Sequence, residues 1–188
     1  MTIPLIGTAL RRRRKKALLL GFATITMALL GAISVAWFGG YRVNLTPSEP
    51  LGLWRIVKLD RPVAAGDLIF ICPPQTAAMW EARMRGYLRS GLCPAGVAPL
   101  IKSVVAVAGQ RVDVGTSVSV NGRLVPSSTL AQRDAWGRQM TPFSGGIVPA
   151  DYVFLHSAFA GSYDSRYFGP IPAAGILGMA QEVLTYAP

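Results

Sequence analysis

The feature that most constrains this chain is an uncharged apolar stretch close to its amino terminus. Ala17 to Phe38 contains 22 residues and no formally charged side chain. A helix rises about 1.5 Å per residue, so this stretch reaches about 33 Å, whereas the hydrocarbon core of a bilayer is about 30 Å thick. The length therefore predicts one transmembrane helix over residues 17–38.

The two ends of this stretch predict its orientation. Six consecutive basic residues, Arg11 to Lys16, precede it, and Trp37, Phe38 and Tyr41 lie at its far end. Basic residues stay on the cytoplasmic side, and aromatic rings favour the lipid–water boundary. We expect residues 1–16 to be cytoplasmic, residues 39–47 to form a short extended tether, and residues 48–188 to lie outside.

Other interpretations of these two segments were weighed. The apolar stretch resembles a cleavable signal peptide in having small residues at Ser34 and Ala36, but a signal peptide has an apolar run of only about 7–15 residues. We favour an uncleaved anchor. The basic run fits a polybasic lipid contact or a nucleic-acid site as well as a topology determinant. We favour the topology determinant and expect no nucleic-acid partner.

The part after the anchor is predicted to be mainly antiparallel β-sheet. Short runs of β-branched and aromatic residues alternate with turns that use many of the 20 Gly and 14 Pro residues, and Asn121-Gly122 is a strong hairpin signal. The predicted strands are Leu51–Ile56, Leu68–Cys72, Leu100–Val107, Val112–Val114, Val118–Val120, Tyr152–His156 and Gly178–Tyr186.

A small helical insertion interrupts the predicted strands. Met79 to Leu88 has a helical composition, and Cys72 and Cys93 bracket it, so residues 73–99 form the predicted insertion. In an oxidising compartment the two cysteines are expected to form a disulfide, which would contribute about 3 kcal/mol in the chain-entropy model. The alternative is two small buried hydrophobic residues.

Most common catalytic constellations are poorly supported. His156 is the only histidine, and its place at the end of an apolar strand favours a structural role over a Ser–His–Asp triad. One histidine and two distant cysteines do not make a convincing zinc site. The nine acidic residues are scattered, and no glycine-rich phosphate loop is present. We therefore expect no metal and no cofactor.

A serine activated by a lysine remains. Ser48 lies between Pro47 and Pro50, which hold the backbone extended and present the hydroxyl. Lys102 shares one face of its predicted strand with Leu100 and Val104. Burial there would lower the pKa of the amine and let it act as a general base. A lysine whose stem packs while its amine reaches solvent is an equally good interpretation of the strand alone.

Three blocks then carry a resemblance to a known family. They are Asn44 to Trp54 (NLTPSEPLGLW), Ile101 to Gly122 (IKSVVAVAGQRVDVGTSVSVNG) and Asp164 to Pro172 (DSRYFGPIP). In this order, after an anchor, they resemble the membrane-bound Ser–Lys signal peptidases. Among these, the similarity is to the TraF-type conjugative-transfer peptidases that mature pilin subunits.

The resemblance implies a role for each matching residue. Ser48 would be the nucleophile and Lys102 the general base. The Ser48 backbone N–H and the Thr46 hydroxyl would form the oxyanion hole, and Asp164 would match an acid that the TraF-type enzymes need. Two positions depart from the usual signal peptidase, because Glu49 replaces Met after the nucleophile and Gln110 replaces the Asp of a Gly-Asp turn. The first departure agrees with the TraF-type pattern.

The expected role of Asp164 involves a conflict with that of Lys102. An ionised carboxylate that touched the lysine would favour the ammonium and raise its pKa. We therefore expect Asp164 to orient the site through Ser165 or to pair with Arg166. The alternative for Asp164 and Arg166 is a purely structural ion pair.

The resemblance implies a serine endopeptidase in the bacterial inner membrane, with its catalytic domain in the periplasm. Nine residues separate Phe38 from Ser48, so the tether spans at most about 30 Å. The expected partners are the lipid bilayer and a membrane-inserted precursor, above all a pilin, whose own amino terminus can replace water and give a cyclic product. The alternatives are a general signal peptidase and a non-catalytic β scaffold of a secretion apparatus.

Overall fold

The computed structural model describes residues 5–94 and 96–187. The chain divides into two units, residues 1–41 and residues 42–188, which are described separately here. Small parts of three predicted segments lie outside the described residues. These parts are residues 1–4 of the cytoplasmic segment, residue 95 of the insertion and residue 188 of the outer domain.

The first unit is a single long helix. Helix α1 runs over Leu5–Phe38, and its section Arg13–Phe38 is long and apolar enough to cross a membrane. The helix begins earlier than the predicted residue 17, so the basic run continues the same helix. It ends at Gly39 and Gly40, the latter with a φ of 83° that favours glycine.

The polar side chains within the apolar section of α1 are satisfied internally. The hydroxyls of Thr24, Thr26 and Ser34 each donate to a backbone carbonyl three or four residues earlier, at 2.8–2.9 Å. This bonding suits a helix in lipid, where an unpaired polar group is costly.

The described residues after α1 form eleven strands and two short helices. The strands are β1 (Tyr41–Asn44), β2 (Leu51–Val57), β3 (Leu68–Ile71), β4 (Leu100–Val107), β5 (Arg111–Val114), β6 (Val118–Val120), β7 (Arg123–Leu124), β8 (Gly146–Ile147), β9 (Tyr152–His156), β10 (Ile171–Pro172) and β11 (Ile176–Tyr186). The helices are α2 (Ala77–Met84) and α3 (Ser165–Phe168), and a single 3-10 turn covers Ala173–Gly175.

The strands form two sheets. A seven-stranded sheet has the order β1-β2-β11-β3-β4-β9-β10, and a four-stranded sheet has the order β7-β6-β5-β8. Antiparallel pairing joins β2 to β11, β11 to β3, β3 to β4, β4 to β9 and β9 to β10. The predicted fold, mainly antiparallel β-sheet with a small helical insertion after an apolar helix, is confirmed.

The larger sheet is covered on one face by the insertion. Side chains from β3, β4 and β9 pack there against Met79, Ala82 and Leu88 of the insertion in one buried cluster. A second cluster joins β9 and the smaller sheet through Phe154, Val112 and neighbouring valines. The β4 strand therefore lies in the middle of the hydrophobic core.

Some predicted elements differ in extent. The predicted helix Met79–Leu88 is wrong at both ends, because the Thr76 side chain caps α2 by accepting from Met79 N–H at 3.3 Å and Gly86 follows its end with a φ of 81°. The predicted tether contains β1, which pairs at the edge of the larger sheet. Gln110 retains a turn contact, because its Oε1 accepts from Val107 N–H at 2.8 Å.

Candidate active site

Ser48 lies in the turn that joins β1 to β2. Its side chain is partly exposed, and Pro47 beside it is exposed. The Asn44 amide donates to the carbonyls of Glu49 and Pro50 at 2.9 and 3.0 Å, and the indole of buried Trp54 also donates to Pro50 at 2.9 Å. The nucleophile candidate is therefore presented on a turn that is braced from within the domain.

Lys102 is buried in β4, with only 3% of its surface exposed. It pairs with Ile69 across the sheet and shares its face with Leu100 and Val104, which belong to the same apolar cluster. Within residues 5–94 and 96–187 its amine has no hydrogen bond or ion pair. The stem is packed, and only a small part of the side chain reaches the surface.

This environment changes the acid–base behaviour of Lys102. Burial lowers the pKa of the amine from 10.5 to about 8, and the positive charge of Arg166 acts in the same direction. The negative charges of Asp164 and Glu49 oppose this change in the pKa. The net result is an amine that loses its proton far more readily than an ordinary lysine.

Ser157 connects the lysine strand to the nucleophile turn. Ser103 pairs with His156, so the adjacent positions, Lys102 and Ser157, lie opposite each other on the other face of the sheet. Ser157 is buried, and its hydroxyl donates to the Ser48 carbonyl. This contact joins residues 109 positions apart in the chain, and the sequence analysis missed it.

Asp164 and Arg166 form a completely buried ion pair. Both have 0% of their surface exposed, and the guanidinium donates to Asp164 through Nε at 2.8 Å and Nη2 at 2.9 Å. Arg166 also donates to the carbonyls of Thr129 and Ser162 at 2.8 and 3.1 Å. The expected pairing of the two residues is thus present, and Arg166 links the loop before α3 to the loop that contains Thr129.

The Asp164 carboxylate has a further partner on the active-site side. Its Oδ2 accepts from the backbone N–H of Ser157 at 3.1 Å. Burial alone would raise the pKa of Asp164, but the His156 side chain 3.4 Å away and the hydrogen bonds and charge of Arg166 outweigh it, and the net pKa is lowered. An ionised Asp164 therefore holds Ser157, and its main charge partner is Arg166 rather than Lys102.

The remaining predicted residues occupy the same region. The Thr46 hydroxyl donates to Asn44 Oδ1 at 2.7 Å, and the Ser165 hydroxyl accepts from Leu155 N–H at 2.9 Å. Ser165 thus attaches α3 to β9 and does not bond the Asp164 side chain in the described residues. The Asp164 side chain caps α3 by accepting from Arg166 N–H at 3.1 Å.

Two further polar residues in this region lack complete hydrogen bonding. The Ser162 hydroxyl is buried and has no partner in the part of the chain that the structure describes. His156 is buried, with Nδ1 3.4 Å from Asp164 Oδ2 and Nε2 3.3 Å from the Pro126 carbonyl. The sequence signal for Ser162 was its position two residues before Asp164.

Glu49 adds a half-buried carboxylate next to Ser48. Burial raises its pKa, while the positive charge of Lys102 and the nearby Ser157 side chain lower it in part. The mutual electrostatic effect of Glu49 and Lys102 on their pKa values indicates that the nucleophile turn and the lysine share one electrostatic environment.

The insertion contacts the loop that carries Asp164. A disulfide joins Cys72 to Cys93, with a Cα–Cα distance of 5.5 Å. Tyr87 of the insertion packs on Tyr163 with ring centroids 4.7 Å apart, and Tyr163 stacks on Tyr167 at 5.6 Å.

Among the described residues, no group of three His, Cys, Asp or Glu side chains is placed to hold a metal ion.

The arrangement provides the parts that acyl transfer needs. A partly exposed hydroxyl stands on a braced turn, an amine that deprotonates readily lies in β4 opposite Ser157, and Ser157 binds the Ser48 carbonyl.

Comparisons with known proteins agree in family. The family described as "Signal peptidase, peptidase S26" matches residues 15–185. A "Probable conjugal transfer protein TraF" of Sinorhizobium fredii is 78% identical over 188 residues, which is 100% of both chains. A "Conjugal transfer protein TraF" of Agrobacterium tumefaciens is 56% identical and covers 95% of this chain and 100% of its own.

More distant relatives extend this range. A "Plasmid transfer protein TraF" of Escherichia coli is 33% identical and covers 85% of this chain and 91% of its own. A crystal structure of a signal peptidase I from Enterococcus faecalis V583 gives a TM-score of 0.39 at 15% identity, covering 63% of this chain and 97% of that one. The family match and the close relatives span nearly the whole sequence, and the chain belongs to the signal peptidase family, peptidase S26.

Proposed function

We propose that this protein is a membrane-anchored serine endopeptidase that uses Ser48 and Lys102 to cut an exported, membrane-inserted precursor. The observation that carries the proposal is the buried Lys102 amine, which has no ion-pair partner among the described residues and lies across the sheet from the residue that binds the Ser48 carbonyl. A protein has little structural reason to bury such an amine, and a general base requires it.

The first chemical step joins Ser48 to the substrate in a tetrahedral intermediate. The neutral amine of Lys102 removes the hydroxyl proton while Ser48 Oγ attacks the carbonyl carbon of the scissile bond. The carbonyl oxygen becomes an oxyanion, which accepts hydrogen bonds from Ser48 N–H and the Thr46 hydroxyl. One such donor contributes about 2.7–4 kcal/mol in other serine hydrolases.

The second step releases the first product. The Lys102 ammonium gives its proton to the leaving amine, the carbon–nitrogen bond breaks, and the acyl group stays on Ser48. Water then attacks the ester with Lys102 again as the base, or an amine of the substrate attacks and forms a new peptide bond. The second route gives a cyclic product when that amine is the substrate's own amino terminus.

Asp164 acts indirectly in this scheme. It holds the Ser157 backbone, and Ser157 holds the Ser48 carbonyl. Its bidentate partner Arg166 keeps it ionised and in place. We therefore assign Asp164, Ser165 and Arg166 as residues that position the site and Ser48 and Lys102 as the groups that react.

The substrate is proposed from the relatives and from the anchor. The similar proteins carry names from conjugal and plasmid transfer, which supports a precursor of a conjugation or type IV secretion apparatus, above all its pilin. Helix α1 would place the protein in the inner membrane with its amino terminus in the cytoplasm and residues 48–188 in the periplasm. The lipid bilayer and the precursor are then its partners.

The test is precursor processing in cells. The full chain is expressed with the pilin precursor of its own transfer system, and the intact masses of the pilin are measured. We expect processing by the wild-type protein and by the exposed-residue controls Ser144→Ala and Lys58→Ala, and none by Ser48→Ala or Lys102→Ala.

The masses also separate the two product types, because a cyclic pilin is lighter than the linear one by one water. Unchanged processing in either active-site variant would contradict the proposed dyad. Cleavage of ordinary leader peptides, seen as rescue of a strain that lacks its housekeeping signal peptidase, would instead favour a general signal peptidase.

A further inference from the structure

Asn44 makes an unusual number of contacts for a single side chain. It ends β1, with 8% of its surface exposed. Its Oδ1 accepts from Thr46 N–H at 3.0 Å and from the Thr46 hydroxyl at 2.7 Å. Its Nδ2 donates to the carbonyls of Thr46, Glu49 and Pro50 at 2.9, 2.9 and 3.0 Å. All five bonds go to the turn that follows it.

These bonds enclose Ser48 from both sides. Thr46 precedes the serine, and Glu49 and Pro50 follow it. In the described structure Asn44 makes no hydrogen bond to Ser48 itself, whose carbonyl is held by Ser157. Asn44 therefore sets the position of the Ser48 hydroxyl through the backbone on either side, and Ser157 fixes the middle of the turn.

The Thr46 hydroxyl has one proton, and Asn44 holds it. To donate to an oxyanion, the hydroxyl must rotate away from Asn44 Oδ1. That oxygen keeps the Thr46 N–H as a donor when the hydroxyl leaves, so it is not left unsatisfied. The turn can thus release the hydroxyl proton without losing its shape.

From this geometry we propose that Asn44 is a positioning residue of the peptidase, which holds the Ser48 turn and keeps the Thr46 hydroxyl ready for the oxyanion. The inference rests on the proposed function of Ser48. An asparagine side chain suits the task because it combines an acceptor with two N–H donors on a short stem. Aspartate keeps only the acceptor, and leucine keeps neither at a similar size.

The first test is kinetic and uses the full-length protein in detergent with the purified pilin precursor. We expect Asn44→Leu to lower kcat at least tenfold while KM changes less than threefold. The matched control is Asn121→Asp, at an exposed hairpin turn, which should retain wild-type kinetics. Thr46→Val should cost less in the Asn44→Leu background than alone, because the two residues act together.

The second test does not depend on turnover. Amide exchange at Thr46 is followed by NMR in protein labelled with ¹⁵N-threonine. We expect faster exchange in Asn44→Leu, which lacks the acceptor, and wild-type protection in Asn44→Asp, which keeps it. Exchange at Thr185 in β11 serves as the reference within the same sample and should not change.

The outcomes separate this inference from the proposed function. Processing that persists in Ser48→Ala would remove the proposed function, while faster Thr46 exchange in Asn44→Leu would still support the hold that Asn44 has on the turn. Unchanged Thr46 exchange would overturn the inference whatever happens to the precursor. A kcat in Asn44→Leu equal to that of the wild type, or a loss that follows a fall in melting temperature, would also overturn it.

Discussion

The same domain buries two positive side chains in opposite ways. Arg166 has 0% of its surface exposed, and its guanidinium donates to the Asp164 carboxylate and to two loop carbonyls. Lys102 has 3% of its surface exposed, and its amine has no hydrogen bond or ion pair in the described residues. Arg166 has several hydrogen-bond partners, and Lys102 lies beside Ile69, Leu100 and Val104 with none among the described residues.

The difference separates structure from chemistry. A buried charge with a full set of partners holds loops together, and breaking such a pair is strongly destabilising. A buried amine without partners costs stability while it is charged, and it gains reactivity because it loses its proton easily. The contrast assigns Arg166 to the scaffold and supports Lys102 as the proposed base.

The largest expected effect comes from changing Lys102. Lys102→Met and Lys102→Arg should each lower precursor cleavage by at least about 10²-fold, because neither side chain can accept a proton near neutral pH. The two variants should differ in melting temperature, since methionine removes the buried charge and arginine makes it permanent. Single-turnover cleavage and thermal unfolding in detergent measure both effects.

The control for these variants is Lys58→Met at an exposed position, which should change neither quantity. Cleavage by Lys102→Met at the wild-type rate would remove the basis for the contrast between the two cations.

The second largest effect is a loss of stability at Arg166. Arg166→Met leaves Asp164 buried and without its main partner, so we expect the free energy of unfolding to fall by about 3–5 kcal/mol. The comparison variant is Arg111→Met, which removes a surface ion pair with Asp113 and should change the free energy by no more than about 0.5 kcal/mol. Chemical denaturation measures the free energy of unfolding of both variants. Equal values for the two would contradict a structural role for Arg166.

The smallest effect is a dependence of stability on pH that Lys102 should produce. Its pKa is about 8 in the folded protein and 10.5 as an ordinary lysine, so the unfolded state binds more protons between these values. Stability should therefore rise as pH increases from 8 to 10.5, by about 3 kcal/mol from this group.

The same titration should govern activity. The value of kcat/KM should increase as pH rises through about 8, because only the neutral amine of Lys102 can act as the base. Lys102→Met should lack the corresponding rise in stability, while other groups keep their contributions. If the stability of the wild type depends on pH in the same way as that of Lys102→Met, the amine does not titrate in this range.

The sequence was informative wherever the relevant contact is local. Strand alternation placed Lys102 on one face with Leu100 and Val104, and the structure has this arrangement. The pairing of Asp164 with Arg166 was also expected, because the two residues lie two positions apart and meet at the start of α3. The strands with clear β-branched runs lie within one or two residues of their predicted bounds.

The contacts that connect distant segments could not be predicted in the same way. The bond from Ser157 to the Ser48 carbonyl depends on the register of β4 against β9 and on where β1 joins the sheet. A single sequence gives no signal for this register or for the place where β1 joins the sheet. The bonds of Asn44 are local, but an asparagine before a proline-rich turn is common and gives no indication that it will bind five groups.

The link between Cys72 and Cys93 has a consequence for how the insertion relates to the sheet. The crosslink begins one residue beyond Ile71, the last residue of β3, which lies opposite Leu100, the first residue of β4. The disulfide closes the loop of residues 73–92 covalently at its base. Exposed positions in this loop can therefore change while its buried residues Met79, Ala82 and Leu88 stay packed against the sheet.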